Sequence, residues 1–538
     1  MRWWGWGENG HEVALPEQAS ALLEEELGID SSRRHSPVGL NEVRLPNPRL
    51  PGAVRERLAE LLGPEHVRDD REARVVHAMG RSYPDLVRLR SGDASSAPDL
   101  VLDPASAEQV EAVLAACAEA RVAVVPFGGG TSVVGGVEPL VDGFAGAVSL
   151  DLRRLDRVVA IDLVSLTARL EAGLLGPEVE RRLAAEGLTL GHFPQSFEYS
   201  TVGGWVATRS AGQASTGYGR IDELVEGLRF IAPAGEIQAR ERPASAAGPD
   251  LRELLVGSEG VLGVICEATL RVRRAPEARR YEGWSFRSFA EGCEALRVLE
   301  QAGASPDVAR VSDEHETRVS LALAPRGGWT ERALRRYLRM ARHEGGCLAI
   351  VGFEGGEEDV GRRRLQASSL LRGGGGLTLG QKPGAAWLRG RFGAPYLRDE
   401  LIGRGVLVDT LETATEWSNV QSLYRAVSEA LRAALGERSL VMCHVSHVYR
   451  SGASLYFTFL AAQAEDALGQ WRAAKRAASD AIVAGGGTIT HHHAVGRDHA
   501  PWMRAEVGEL GVELLRAAKG RLDPAGIMNP GKLLPPAP

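Results

Sequence analysis

The chain has 538 residues, 44% of them hydrophobic and 6% aromatic, enough apolar material for roughly three or four domain-sized units, one of them expected to be discontinuous. Its 63 Lys and Arg against 70 Asp and Glu leave a formal net charge of −7, which argues against a surface built to neutralise nucleic-acid phosphates. Five scattered cysteines, odd in number and without a Cys-x-x-Cys pair, argue against a disulfide frame or structural zinc.

The amino terminus, Met1-Arg2-Trp3-Trp4-Gly5-Trp6-Gly7, lacks an apolar h-region and a small-residue cleavage site, and no run of about 18 apolar residues occurs. A cytoplasmic protein is expected. Residues 1–94 are an amino-terminal region whose early tryptophans read as a packing clasp or a partner surface, packing being favoured. From Asp99 the pattern sharpens. Asp99–Pro104 reads as a buried strand, and Ser106 with Gln109 as a helix start. Val110, Val113, Leu114 and Cys117 then recur on one helical face before the strand Val122–Val125. Strands follow around 148–152, 158–161 and 167–171, with a helix opened by Pro177. Strand-like runs at 228–236 and 263–272 close a unit over 95–276. Helical stretches alternate with strands at 347–353, 439–448 and 454–460 through a cap over 277–490. Residues 491–538, with Leu522–Gly531, read as a turn-rich return to the first unit.

The loop Pro126-Phe127-Gly128-Gly129-Gly130-Thr131-Ser132, continuing to Gly136, places three glycines directly after a strand, so bare amides can face one anion, a pyrophosphate being the natural candidate. It has neither the Lys of a triphosphate loop nor the spacing of a Gly-x-Gly-x-x-Gly helix start. Alone it reads equally well as a structural turn. A second segment, Pro194-Gln195-Ser196 through Thr201, Gly203, Gly204, Thr208 and Ser210, repeats the chemistry. A third, Gly257-Ser258-Glu259-Gly260-Val261-Leu262-Gly263-Val264-Ile265, turns tightly into a buried strand. Together these resemble the FAD-binding domain of the vanillyl-alcohol-oxidase and p-cresol-methylhydroxylase superfamily. The resemblance implies an α+β fold: a two-subdomain FAD-binding domain, an α/β cap and a carboxy-terminal return. It also implies that FAD is held by Pro126, Gly128, Gly129, Gly130, Thr131, Ser132, Pro194, Ser196, Thr201, Gly203, Gly204, Thr208, Ser210, Glu259, Gly263 and Ile265. Members that tether the flavin often carry His or Cys in the first loop. This loop has neither, so non-covalent FAD is expected, and His192 near the second loop is read as a packing or hydrogen-bonding histidine.

Near the carboxy terminus His491-His492-His493 follow the strand-like Gly487–Thr490. An extended strand sends neighbouring side chains to opposite faces, so the triplet reads poorly as a chelate of one ion and better as one or two imidazoles for proton handling. No metal is expected. With the Trp3–Gly7 opening, Phe197–Val206 and His491–Gly496, the chain resembles the alkylglycerone-phosphate synthase branch of the superfamily over nearly its whole length, residues 281–381 matching least. That branch exchanges the acyl group of acyl-dihydroxyacetone phosphate for a long-chain alcohol through a flavin N5 adduct. The resemblance implies Tyr456 and His492 as acid/base groups with His491 and His493 beside them, Arg398 as a phosphate ligand, Thr410 where relatives have Ser, and Arg310 as a further site arginine. A core tyrosine and a structural salt bridge remain open for Tyr456 and Arg310. Small-molecule lipid partners, a homodimer and peripheral membrane contact are further expectations, as is a cytosolic setting from the tail Pro535-Pro536-Ala537-Pro538, which is not Ser-Lys-Leu. The alternative is an FAD-dependent 2-hydroxy-acid or alcohol oxidoreductase of the same fold. Many of those carry His-x-Gly-Asp-Gly-Asn-x-His and Glu-His-Gly, whereas this chain reads His444-Val445-Ser446-His447 and His491-His492-His493-Ala494, without the metal carboxylate.

Overall fold

The computed structural model describes residues 1–538 except 9, 11–14, 16, 31, 33, 324–328 and 537–538, so the last two residues of the tail named above lie outside the described residues. Ser106 accepts from the Gln109 amide at 3.3 Å and caps the helix Ala107–Glu119, while the Gln109 side chain reaches back to the Ala105 amide at 2.7 Å. Val110, Val113, Leu114 and Cys117 are all buried on one face of that helix, as the spacing predicts. They share an apolar core with a four-stranded sheet in the order Val67–Arg68, Leu100–Leu102, Ala147–Asp151, Ala123–Phe127, whose last three strands are parallel. The first glycine loop leaves the end of its edge strand.

A five-stranded antiparallel sheet carries the second half of this unit, in the order Val158–Asp162, Thr167–Glu171, Val264–Arg271, Val225–Ala232, Gly235–Ala239. The strand expected over 228–236 is a hairpin instead. Pro233 lacks an N–H and Gly235 takes φ +130°, which breaks the ladder and reverses the chain. The second glycine segment also differs from a simple loop: Thr201 accepts from the Gly204 amide at 3.3 Å and starts the short helix Val202–Ala207.

The cap is built on seven strands, all paired antiparallel, in the order Leu377–Gly380, Ala278–Phe286, Cys347–Gly355, Val308–Ser312, Ser439–Val445, Gly452–Ala462, Val406–Glu416. Side chains alternate across a strand. Leu411, Phe457 and Cys443 therefore share one face and bury themselves in a core with Val427 and Ala478 of the helices Val420–Leu435 and Ala467–Ala484. Their neighbours point the other way and meet the flavin-type loops.

Both chain ends close on this frame. Trp3 and Trp6 are buried, Arg2 lies over Trp4 at 4.0 Å, and the Arg2 guanidinium and Trp6 amide both reach Asp399, so the tryptophan opening is a clasp between the amino terminus and the helix Ala394–Ile402. At the other end the Val124 amide donates to Ile527 O at 2.8 Å and the Asn529 amide to Val124 O at 2.8 Å, adding the tail to the first sheet. Met528 is fully buried there. Truncation to Ala at 528 should cost ~2–5 kcal/mol, seen as an earlier urea midpoint by intrinsic fluorescence; an unchanged midpoint would mean that the tail is not part of that core.

Candidate active site

A cavity of about 710 Å³ lies between the glycine loops and the cap sheet. All sixteen residues expected to hold FAD line it, as do Tyr456, His492, His493, Arg398, Thr410 and Arg310. His491 stands one layer behind, bonded to His492.

Bare backbone is a steric requirement on the flavin side. A Cβ on Gly129 would sit 1.8 Å from the Tyr199 carbonyl oxygen, one on Gly128 2.3 Å from Thr201 Oγ1, and Gly130 takes φ +67°. The first loop thus lies backbone against backbone on the second, a close approach that only glycine permits. Gly263 repeats the case at φ +156°, with Ile231 O 2.5 Å from an added Cβ. Ser132 Oγ accepts from the Gly136 amide at 3.0 Å, and Thr208 Oγ1 donates to Gly204 O at 2.8 Å. This cradle of glycine amides and hydroxyls fits a flavin dinucleotide with its pyrophosphate at the first loop. His192 is turned away from it, its Nε2 2.7 Å from Ser210 Oγ and its ring 5.0 Å from Trp205.

On the cap side three strands present their inward faces in register. Glu412, Tyr456 and His444 form one rung; Thr410, Thr458 and Met442 the next; Val408, Leu460 and Leu440 the third. Chemistry therefore changes from ionisable to apolar across three rungs, about 7 Å per rung along the strands. Leu22, Leu23 and Leu27 of the helix Glu17–Leu27, with Val319, continue the apolar end. In the ionisable rung the ring of His444 stacks on Tyr456 at 4.8 Å. Arg310 bonds His444 at 2.9 Å and pairs with Glu316, which also accepts from His444 Nδ1 at 2.9 Å. Burial opposes ionisation of Glu316, but His444 and Arg310 hold it down to about 2. Arg310 is thus both a cavity-lining group and half of a salt bridge.

The histidine triplet departs from its expected geometry. Residues 487–493 form no strand; they bend around the carboxylate of Glu412, which accepts from the amides of His491, His492 (3.2 Å) and His493 (2.8 Å) and from Thr490 Oγ1 (2.7 Å). Successive amides turned toward one anion make a nest, and that anion competes with sheet pairing for the same donors. The rings of His492 and His493 consequently both reach the cavity, while His491 turns toward Tyr449. His492 and His493 lie 5.9 and 5.5 Å from the Tyr456 ring. The extended geometry expected of the triplet is corrected: it bends, and the nitrogens of two of its members, His491 and His492, come within 4.8 Å of one another and of His447, which lies just past the end of a neighbouring strand. Three facing imidazoles are a donor set that a borderline cation accepts, but two of them, His491 and His492, have their Nδ1 atoms 2.9 Å apart, the spacing of a shared proton.

Electrostatics keep these rings neutral. Burial lowers His492, with Glu412 opposing, and takes His493 to about 3. Burial pushes Tyr456 up to about 12, against a hydrogen bond with Thr410. Arg398 donates to Arg81 O at 2.6 Å, while its Nε and Nη2 are buried with no hydrogen-bond partner and Asp399 is 3.8 Å away. A guanidinium with spare donors in a cavity wall is suited to a phosphate.

Sequence reasoning missed Glu412, Glu316, His444 and Tyr449, which bonds His491. For Glu412 a signal existed, a carboxylate inside the strand pattern Val406–Glu416; for the others no local pattern points inward. It also underread Glu259, which holds the same segment from the flavin side: its carboxylate accepts from the Val495 and Gly496 amides at 2.8 and 2.7 Å. Burial takes it up to about 7 despite those donors.

Two outcomes follow. Gly129→Ala should abolish FAD retention while the chain still folds, read as lost yellow absorbance at 450 nm or thereabouts, roughly the flavin band; a fully loaded G129A protein would contradict the close approach. His192 has a folded pKa near 3, lowered by burial from 6.5. Below its unfolded pKa the unfolded chain binds the extra proton, so this group's contribution falls as pH drops from 6.5 toward 3. At pH about 5, His192→Gln should unfold with about one proton fewer taken up, measured by calorimetry in buffers of different ionisation heat; equal uptake would refute the buried neutral ring.

The FAD binding domain family matches residues 98–239, and the family of FAD linked oxidases, C-terminal domain, matches residues 275–533. An alkyldihydroxyacetonephosphate synthase of Dictyostelium discoideum is 36% identical over 501 residues, covering 91% of this chain and 82% of that one. A solved alkyldihydroxyacetonephosphate synthase superposes with a TM-score of 0.86 at 30% identity, covering 99% of each chain. Substrate-bound p-cresol methylhydroxylase, at 15% identity and a TM-score of 0.67 over 89% of this chain and 96% of its own, shares the fold. With the cradle, the ionisable rung and these relatives in agreement, the chain belongs to the alkyldihydroxyacetonephosphate synthase family and is an FAD-dependent enzyme.

Proposed function

We propose that the protein exchanges the acyl group of acyl-dihydroxyacetone phosphate for a long-chain alcohol. The observation that carries this reading is the three-rung gradient: one cavity joins a flavin cradle, a neutral acid/base cluster and a wall of Val408, Leu460 and Leu440. A substrate with a charged head and long apolar chains satisfies all three; a short hydroxy acid leaves the apolar end unused. Burying an alkyl chain there gains about 0.8 kcal/mol per CH₂.

The glycine loops would hold FAD without a covalent bond, and it would supply covalent catalysis beside Tyr456 and His492. The chain's own residues do the rest. Arg398, in the cavity wall, supplies the positive charge that faces the phosphate. His492, neutral and lining the cavity, exchanges the mobile proton. Tyr456, protonated at neutral pH because its pKa lies near 12, hands a proton on or receives one in concert rather than standing as a phenolate. His493 and His444 flank that ring, and Thr410 orients its oxygen. Glu412 meets the cost of charge on His492, its carboxylate lying 3.7 Å from Nδ1. Water is excluded by the apolar rung and the buried clasp of Trp6. The reading also takes the protein to be a cytoplasmic homodimer that touches membranes peripherally to collect its substrates; among the described residues no helix is long and apolar enough to cross a membrane.

The test is an absorbance scan of the purified yellow protein with acyl-dihydroxyacetone phosphate, with and without hexadecanol, alongside product analysis. The reading expects a spectral change on the first addition, its reversal and an ether product on the second. Tyr456→Phe and His492→Ala should keep FAD and lose about 100-fold or more in rate. Bleaching by hydroxy acids or simple alcohols, reversed by oxygen, would show an oxidase instead.

A further inference from the structure

The proposed exchange has a proton balance that the cavity alone does not settle. An ester C–O bond to the fatty acid breaks, an ether C–O bond to the alcohol forms, and the alcohol's hydroxyl proton is left over because the fatty acid departs as a carboxylate at neutral pH. One proton per turnover must therefore leave a site walled by apolar side chains. His492 and His493 are half-buried imidazoles beside the fully buried Glu412, which the three histidines hold well below the ordinary carboxylate range against burial.

An unbroken line of hydrogen bonds leads out of this site. His492 lines the cavity and its Nδ1 lies 2.9 Å from His491 Nδ1; His491 Nε2 lies 2.6 Å from the Tyr449 hydroxyl. Tyr449 sits at the turn after the strand Ser439–Val445, fixed by a 2.8 Å bond from its amide to Gly452 O and by Trp417 Nε1 on its carbonyl at 2.9 Å. It is half-buried and lines a second recess, of about 490 Å³, shared with the exposed Glu416, Ser451 and Glu506. Each imidazole has one nitrogen toward each neighbour, which is what a ring needs to take a proton on one side and release another from the far side.

We propose that His491 and Tyr449 are a proton exit, carrying the alcohol's proton from His492 outward to solvent at the half-buried Tyr449. A proton arriving on the cavity-side nitrogen of His492 releases the one on Nδ1 to His491 Nδ1. The Nε2 proton of His491 passes to the Tyr449 oxygen, and the Tyr449 hydroxyl proton goes to water. No bond other than O–H and N–H changes, and the three side chains end with the protons they began with after one reorientation. Arg220, which hydrogen-bonds the Tyr449 oxygen, places a permanent positive charge at the outer end, so an excess proton cannot rest there. Burial and the neighbouring His492 likewise keep His491 from holding charge. This inference rests on the proposed exchange reaction for its proton count, but the hydrogen-bond line itself does not.

Two measurements on the FAD-loaded protein test it. In protein labelled with ¹⁵N-histidine and without substrate, Tyr449→Phe should shift the His491 Nε2 resonance and leave His444 unmoved; an unshifted His491 refutes the line whatever the reaction is. In turnover with acyl-dihydroxyacetone phosphate and hexadecanol, Tyr449→Phe should keep FAD and KM but lower kcat about tenfold, delay proton release to an indicator dye behind ether formation, and respond to added imidazole. His491→Asn should show the same lag. Wild-type kcat with proton release in step with product in both variants overturns the exit. A wild-type protein that forms no ether sinks the proposed reaction instead, and the resonance shift then decides whether the line exists.

Discussion

A buried carboxylate from each side of the molecule grips the segment 491–496, and the rest of the site depends on that grip. Glu412, from the cap, takes the amides of His491, His492 and His493; Glu259, from the flavin-binding unit, takes those of Val495 and Gly496. Each charge-assisted bond of this kind contributes roughly 1.5–3 kcal/mol, against a desolvation cost of several kcal/mol per buried ion. Glu412 has four donors and stays ionised; Glu259 has two and is pulled up to about 7. Against burial, Glu412 has the three neighbouring imidazoles and Thr490 favouring its charge, whereas Glu259 has only two amides and Lys532. Because the two acids belong to different units, the catalytic segment has its full set of bonds only when cap and flavin-binding unit are docked.

Between the two grips lies Ala494, at φ +75°. A left-handed conformation costs a residue with a Cβ roughly 1–2 kcal/mol. The chain tolerates the strain because the amides on both sides are already committed. Gly496, two residues on, has no such choice: at φ +53°, an added Cβ would stand 2.1 Å from Val134 O. The bend that brings His492 and His493 to the cavity is thus fixed from its ends.

Much of this was legible in the amino-acid sequence. The helix from Ala107 and the strand into the glycine loop follow from period and capping, which are local; the tail's return to the first unit follows from its turn-rich composition, while its pairing with Val124 is a tertiary fact. The glycine requirement is legible too, although its cause, contact of Gly129 with the Tyr199 carbonyl, is likewise tertiary. Gly487–Thr490 reads as a strand, with the histidines extending it, because Thr-Ile-Thr has strand propensity and nothing nearby announces a competing anion; Glu412 lies 79 positions before His491. Similarly the pairing of Arg310 with both Glu316 and His444 joins three elements whose neighbourhood only the sheet order supplies. Propensity loses wherever a buried charge claims the amides that a strand would use.

The cap sheet adds one more constraint. Register is a strong determinant when one face is buried, since a slip of one residue exchanges the faces. Here both faces have assigned work. Leu411, Phe457 and Cys443 fill the core, while Glu412, Tyr456 and His444 form the ionisable rung. A slipped pairing would send Glu412 into the apolar core and Leu411 under the histidines, so the hydrophobic pattern that folds the cap also selects which side chains meet the substrate. The gradient from that rung to Val408, Leu460 and Leu440 then follows from strand length alone, without any loop having to be placed.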